Sequence, residues 1–196
     1  MIKTISKLSI ITAVLFSTSC GESPSKNGAK QEKQAEKDST HVLISISQRQ
    51  LYVLEGTDTL KKYPIAVGKD GHPTPEGDFQ IHKIDWNPDW TPPESEWAKS
   101  ENYKKPGEEG NPMGRARIVY QMPYTIHGTK DIESLGNAES HGSVRMANND
   151  VIELGKLLMQ KSGTEKSEEW FKNVLNDSTK MESVKLEKHI SLKNIL

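Results

Sequence analysis

Two histidines, a serine and an arginine hold most of the chemistry this sequence offers. They are His127 in Ile126-His127-Gly128-Thr129, and His141, Ser143 and Arg145 in Ser140-His141-Gly142-Ser143-Val144-Arg145-Met146. An imidazole can take the proton of a hydroxyl as the oxygen attacks a carbonyl, and a serine activated in this way can carry an acyl group. The candidate base and nucleophile are 143 − 127 = 16 residues apart, and each stands beside a glycine. Glycine lets the chain turn sharply and brings backbone N–H groups close to the oxyanion that forms during acyl transfer. Arg145 offers a planar cation for a substrate carboxylate or for a salt bridge within the fold. His141 is read either as a groove residue or as a structural histidine. His127 and His141 with His72 or His82 could gather as a metal triad, but the chain has no His-Glu-x-x-His and only one cysteine, so no metal and no cofactor are expected.

These side chains need strands to hold them. Val42, Ile44 and Ile46 alternate with Leu43, Ser45 and Ser47, and Leu51 to Leu54 follows after a polar break, which predicts two paired strands. A third strand is expected from Leu60 to Val67, with Pro64 marking a sheet edge or a bulge. Further strands are expected from Phe79 to Ile84, Ala116 to Gln121 and Tyr124 to His127, the last delivering the histidine to its end. Between Asp85 and Gly114 lies a long irregular segment with Trp86, Trp90, Trp97 and Tyr103, whose rings either wall a groove or pack down on the sheet. After Met146 the spacing of Val151, Leu154 and Leu158 predicts a helix capped by Asn148 or Asn149, and a shorter helix is expected from Ser167. Ser183 to Leu196 alternates loosely and is expected to add one or two strands. The fold class is therefore mainly β with helical additions.

Composition narrows the partners. With 196 residues, 33% of them hydrophobic, the chain supports one sizeable core plus tails. A net charge of −1 from 26 basic and 27 acidic residues gives nucleic-acid binding no support. Lys3 and Lys7 precede an apolar run from Leu8 to Phe16, then Ser17, Thr18, Ser19 and Cys20, the pattern of an export signal too short to span a bilayer. Cys20 is the only cysteine, so the chain has no internal disulfide and no catalytic thiol in its folded part. Small residues directly before Cys20 resemble a bacterial lipobox, which implies cleavage before Cys20 and lipid attachment to it. Gly21 to Thr40 contains no apolar residue larger than alanine and reads as a flexible tether of about 25 Å typical span. The expected organisation is residues 1–19 as signal, 20–40 as lipid attachment and linker, and 41–196 as the domain, with 161–196 a C-terminal extension. The expected location is a bacterial membrane, lipid-anchored and facing the periplasm.

Four spaced blocks carry a family resemblance: Thr74-Pro75-Glu76-Gly77-Asp78-Phe79, Asn111-Pro112-Met113-Gly114, His127-Gly128-Thr129 and Ser140 to Met146. Together they resemble the L,D-transpeptidase (YkuD) catalytic domain. The resemblance implies a β-sandwich with a long irregular insertion and a C-terminal helix region, acting on peptidoglycan stem tetrapeptides through an acyl-enzyme. It implies His127 as base and Ser143 as nucleophile, with oxyanion donors near Gly142 and Ser143. It also implies that the Gly128 carbonyl orients the His127 ring, and that Ser140, His141 and Arg145 line the substrate site. The family's nucleophile is a cysteine, and Ser143 stands at that position. A hydroxyl is a far weaker acid than a thiol and depends on an aligned base. The residues therefore leave open a transferase, an L,D-carboxypeptidase or endopeptidase-type hydrolase, and an inactive peptidoglycan-binding lipoprotein.

Overall fold

The computed structural model describes residues 39–196, so the signal segment, Cys20 and the tether lie outside the described residues. The domain is mostly β, as expected. Its strands are β1 (Thr40–Ser45), β2 (Gln50–Glu55), β3 (Asp58–Pro64), β4 (Val67–Gly68), β5 (Gly77–Trp86), β6 (Ala116–Gln121), β7 (Tyr124–Thr129), β8 (Ala138–Ser140), β9 (Val144–Ala147) and β10 (Glu182–Ile195). Two helices follow β9, α1 (Asn148–Lys161) and α2 (Glu168–Asn176). Eight strands form one sheet in the order β3-β2-β1-β10-β5-β6-β7-β9, and β4 pairs with β8 in a second, two-stranded sheet.

Pro64 ends β3, which is the sheet edge, because proline has no N–H for the ladder. The expected third strand therefore divides: Val67 begins β4 and pairs in parallel with Ala138 of β8. The C-terminal segment is one strand rather than two. β10 inserts between β1, which it meets in parallel, and β5, which it meets antiparallel. Its ladder slips between Lys185 and Ile190. There the surplus residues turn to the end of α1, with Glu187 N–H donating to Thr164 Oγ1 (2.8 Å) and Lys188 N–H to the Ser162 carbonyl (3.2 Å).

Alternation along the strands gives the sheet two working faces. Ile84, Trp86, Ile118, Ile126, Val144 and Met146 are buried together with Val151, Leu154 and Leu158 of α1. Gly155 lets the helix settle on Trp86, where a Cβ would lie 3.0 Å from the indole Cη2. Trp86 thus belongs to β5 and the core, edge-on to Phe171 of α2 at 5.4 Å, and not to the irregular segment. α2 begins after Ser167, close to the expected start, and Ser167 caps it by accepting the Trp170 N–H. The cap of α1 differs: Ala147 precedes the helix, and the Asn148 side chain is used elsewhere. The opposite alternation, Asp85, Arg117, His127 and Arg145, carries the site.

Candidate active site

His127 lies in the middle of β7, opposite Arg117 of β6 and Arg145 of β9. Its ring is buried, and Nδ1 lies 2.9 Å from the Gly128 carbonyl. A carbonyl only accepts, so Nδ1 carries the proton and the neutral ring keeps its lone pair on Nε2. Burial pushes His127 down to about 4; hydrogen bonding to the Gly128 carbonyl opposes this, while the charges of Arg145 and Arg117 add to it. The imidazole is therefore neutral at neutral pH.

Gly128 is glycine because three segments meet on it. A Cβ there would come 2.3 Å from Asn148 Oδ1 and 3.1 Å from Arg115 N. Asn148 ties these segments together: Oδ1 accepts the Arg115 N–H at 2.9 Å and Nδ2 donates to the Thr129 carbonyl at 3.2 Å. Gly114 meets the same crowding, with a Cβ 2.3 Å from Asn148 Oδ1 and 2.5 Å from the Gly128 carbonyl carbon. This accounts for glycines in both the Asn111 to Gly114 and His127 to Thr129 blocks as close-packing positions.

The turn that presents Ser143 is built around Ser140, whose buried hydroxyl donates to the Ser143 carbonyl and accepts the Gly142 N–H at 3.1 Å. Ser140 thus shapes the turn from inside, and the Gly142 N–H is engaged there. Gly142 itself has φ +107, a backbone conformation that disfavours a side chain, and a Cβ would lie 2.5 Å from Tyr124 Cε1. Ser143 leaves this turn beside β7, where its Oγ accepts the Thr125 N–H at 3.1 Å. Thr125 and His127 are alternate residues of β7, so Ser143, in the turn just before β9, is held two residues along the strand from the base candidate. Among the described residues no hydrogen bond joins Ser143 Oγ to the His127 ring.

His141 and Arg145 flank this pair. The His141 ring stacks on Trp97 at 3.9 Å with 11° between the planes, and meets His72 edge-on at 4.9 Å. Burial, with the charges of Lys69, His72 and Arg145, lowers its proton affinity. Trp97 thereby fixes part of the irregular segment beside the site, and Asn87, at φ +46, anchors its start by donating Nδ2 to the Val174 carbonyl at 2.7 Å. Arg145 pairs with Asp131 Oδ2 at 3.5 Å, and its backbone exchanges hydrogen bonds with Ala66. His82 stands apart, 6.1 Å from His189, and no three His, Cys, Asp or Glu side chains gather as a metal site among the described residues.

Sequence reading missed Thr125 and the Asp85–Arg117 pair, whereas Trp97 is among the rings it names as walling a groove or packing on the sheet. Asp85 is fully buried and takes Arg117 Nε at 3.0 Å and Nη2 at 2.8 Å on one oxygen. Arg117 among the apolar residues Ala116 to Tyr120 was the available signal.

With this geometry in place, the sequence model for the YkuD L,D-transpeptidase catalytic domain matches residues 39–166. The chain belongs to this family. Similar curated proteins include the putative L,D-transpeptidase YkuD of Bacillus subtilis, 34% identical over 119 residues that make up 60% of each chain. Another is the probable L,D-transpeptidase YbiS of Escherichia coli, 32% identical over 120 residues, 56% of this chain and 38% of that one. The matched region thus spans 60% of the Bacillus relative's length. Among solved structures, an L,D-transpeptidase from Mycobacterium smegmatis superposes with a TM-score of 0.50 at 15% identity, over 81% of this chain and 59% of that chain. That likeness is one of fold.

Proposed function

We propose that this domain transfers acyl groups on peptidoglycan stem tetrapeptides, through an acyl-enzyme on Ser143 with His127 as base. The observation that carries the proposal is the His127 ring, held through Nδ1 by Gly128 on β7, the strand whose Thr125 N–H also holds Ser143 Oγ at the end of its turn. In the first half-reaction Ser143 Oγ attacks the carbonyl before the terminal D-Ala as its proton passes to His127 Nε2. The Ser143 N–H receives the developing oxyanion. Collapse breaks the C–N bond, and the departing amine takes the proton from His127. In the second, an acceptor amine attacks the ester, His127 takes the amine proton, and Ser143 Oγ leaves as the hydroxyl. Water in place of the amine would make the same site a hydrolase.

The serine stands where the family pattern has a cysteine, and a base depressed to about 4 assists a hydroxyl weakly. The Thr125 N–H on Ser143 Oγ, in place of a His127 contact, favours a second reading, a peptidoglycan-binding domain without turnover. Incubating the protein with isolated peptidoglycan and resolving the muropeptides by mass spectrometry separates the two. New cross-links or trimmed stems support acyl transfer or hydrolysis; co-sedimentation without any mass change supports binding alone.

The site's setting is also part of the proposal: export, lipid attachment at Cys20, and action at a membrane within reach of the tether. This rests on the sequence pattern. Metabolic labelling with a fatty acid should mark the protein and be lost in Cys20→Ala; labelling that persists removes the anchor.

A further inference from the structure

A row of polar side chains crosses five strands in register: Ser183 of β10 opposite Asp85 of β5, Asp85 opposite Arg117 of β6, Arg117 opposite His127 of β7, and His127 opposite Arg145 of β9. Opposed residues on one face of an antiparallel pair have Cβ atoms about 5 Å apart, so Arg117 and His127 are immediate neighbours. The row is firmly built at its inner end. Asp85 is fully buried with both oxygens occupied, one by Ser183 Oγ (2.6 Å) and Lys83 Nζ (3.2 Å), the other by Arg117. Arg117 is clamped a second time by the insertion, with Nη1 on the Asp89 carbonyl (3.1 Å) and Nη2 on Asp89 Oδ1 (3.3 Å).

We propose that Arg117, clamped by Asp85 and Asp89, is a positioning residue of the site, whose fixed cation stands in register beside His127 and opposes a second positive charge on that ring. The arrangement inverts a Ser-His-Asp triad, in which a carboxylate next to the ring stabilises the imidazolium. Here the in-register neighbours of His127 are cations on both sides, Arg117 on β6 and Arg145 on β9. The carboxylates stand one step further out, Asp85 and Asp89 on Arg117 and Asp131 on Arg145. From the insertion the Pro112 carbonyl also faces the ring, and it favours the charged form. Asp85 is itself held below the usual carboxylate range: burial pulls it up, but the Ser183 and Arg117 hydrogen bonds and the Arg117 and Lys83 charges outweigh it. It is thus an anion that partly balances Arg117, and its loss would leave the cation stronger at His127. The functional consequence is a base that is always available to accept a proton and disfavours keeping one. This suits a nucleophile that gives up its proton readily better than it suits a hydroxyl.

The test is the titration of His127 followed by NMR of the intact protein, with the resonance assigned by its loss in His127→Gln. Arg117→Met removes the cation and should raise the midpoint by about one pH unit, the low end of a neighbouring charge's effect. Arg117→Lys keeps the charge and should leave the midpoint low. Asp85→Asn should lower it further, because Arg117 is then less balanced. A structural role alone would loosen the packing in every variant and raise the midpoint in each. An upward shift in Asp85→Asn, or equal shifts in the Met and Lys variants, overturns the proposal. If Arg117→Met does not fold, the other two variants still decide it. The inference rests on His127 acting as base, but the titration reads no product. The expected shifts in a protein without turnover would remove the proposed function and leave this arrangement standing.

Discussion

His127 should make the fold acid-sensitive well above the carboxylate range. Its ring binds a proton near pH 4 in the folded protein, against an ordinary value of 6.5. Between those values the unfolded chain holds more protons than the folded one, so stability rises with pH through this window and falls as pH drops through it. Linkage with these two values gives a loss of about 2 kcal/mol between pH 7.5 and pH 5, growing to about 3 kcal/mol by pH 4. That is a substantial part of the ~5–15 kcal/mol that holds a typical domain together. Urea unfolding at pH 7.5 and pH 5, in the native protein and in His127→Gln, measures it. The amide cannot titrate, so the variant should lose about 2 kcal/mol less than the native protein over this interval. His141, also lowered by burial, contributes in the same direction but is present in both proteins and cancels. Asp85, held low, releases its stabilisation only at more acidic pH. If native and variant lose stability in parallel, His127 is not held neutral by its surroundings.

Other expectations concern how the site is held. Gly142→Ala should destabilise by about 2–4 kcal/mol, from a side chain at φ +107 and a Cβ driven into the Tyr124 ring, read as a lower urea midpoint. A neutral result would mean the turn relaxes freely. Asn148→Ala leaves the Arg115 N–H and the Thr129 carbonyl without their partner and should cost about 2 kcal/mol, with a fall in any activity through the displaced Gly128. Unchanged stability would show that water replaces the amide at both groups. Trp97→Ala removes the ring stacked on His141 and should raise the His141 titration midpoint, seen by NMR, as burial is relieved; no change would mean that Trp97 does not shield the ring.

The strands that carry the site were legible because their alternation is local. β6 follows the sequence reading residue for residue, and β7 extends it by two, through the Gly128 and Thr129 whose conformation depends on Asn148. The central place of β10 was not legible. Its alternation is visible in Val184, Leu186, Ile190 and Leu192, but its partners are β1, at the far end of the domain in sequence, and β5. Nothing local announces such pairing, and the slip after Lys185 blurs the period. Asn148 misled as a helix cap because a cap and a cross-link use the same amide, and only packing decides which. Trp86 was grouped with the loop tryptophans by proximity, whereas the strand continues two residues past Ile84 and turns it into the core. His127, Gly142 and Ser143 stand out as candidates in the sequence because of their residue types and spacing. The Asp85–Arg117 pair does not, since its meaning depends on the register of three strands.

The most direct measurement of the account is the mass of the intact protein after brief exposure to a carbapenem, compared for the native chain, Ser143→Cys, Ser143→Ala and His127→Ala. The thiol ionises near neutral pH and needs no proton removal during attack, so Ser143→Cys should form the opened-ring adduct rapidly. The native serine, dependent on general-base help typically worth about 10²–10⁴-fold from a weakly basic His127, should form the same adduct slowly and at the same residue. Ser143→Ala should form none, and His127→Ala should abolish the slow reaction of the serine. Acylation of the native chain as fast as Ser143→Cys would contradict the weak-base argument. An adduct that survives in Ser143→Ala, or no adduct in either the serine or the cysteine form, would contradict the assignment of Ser143 as the acyl-accepting residue.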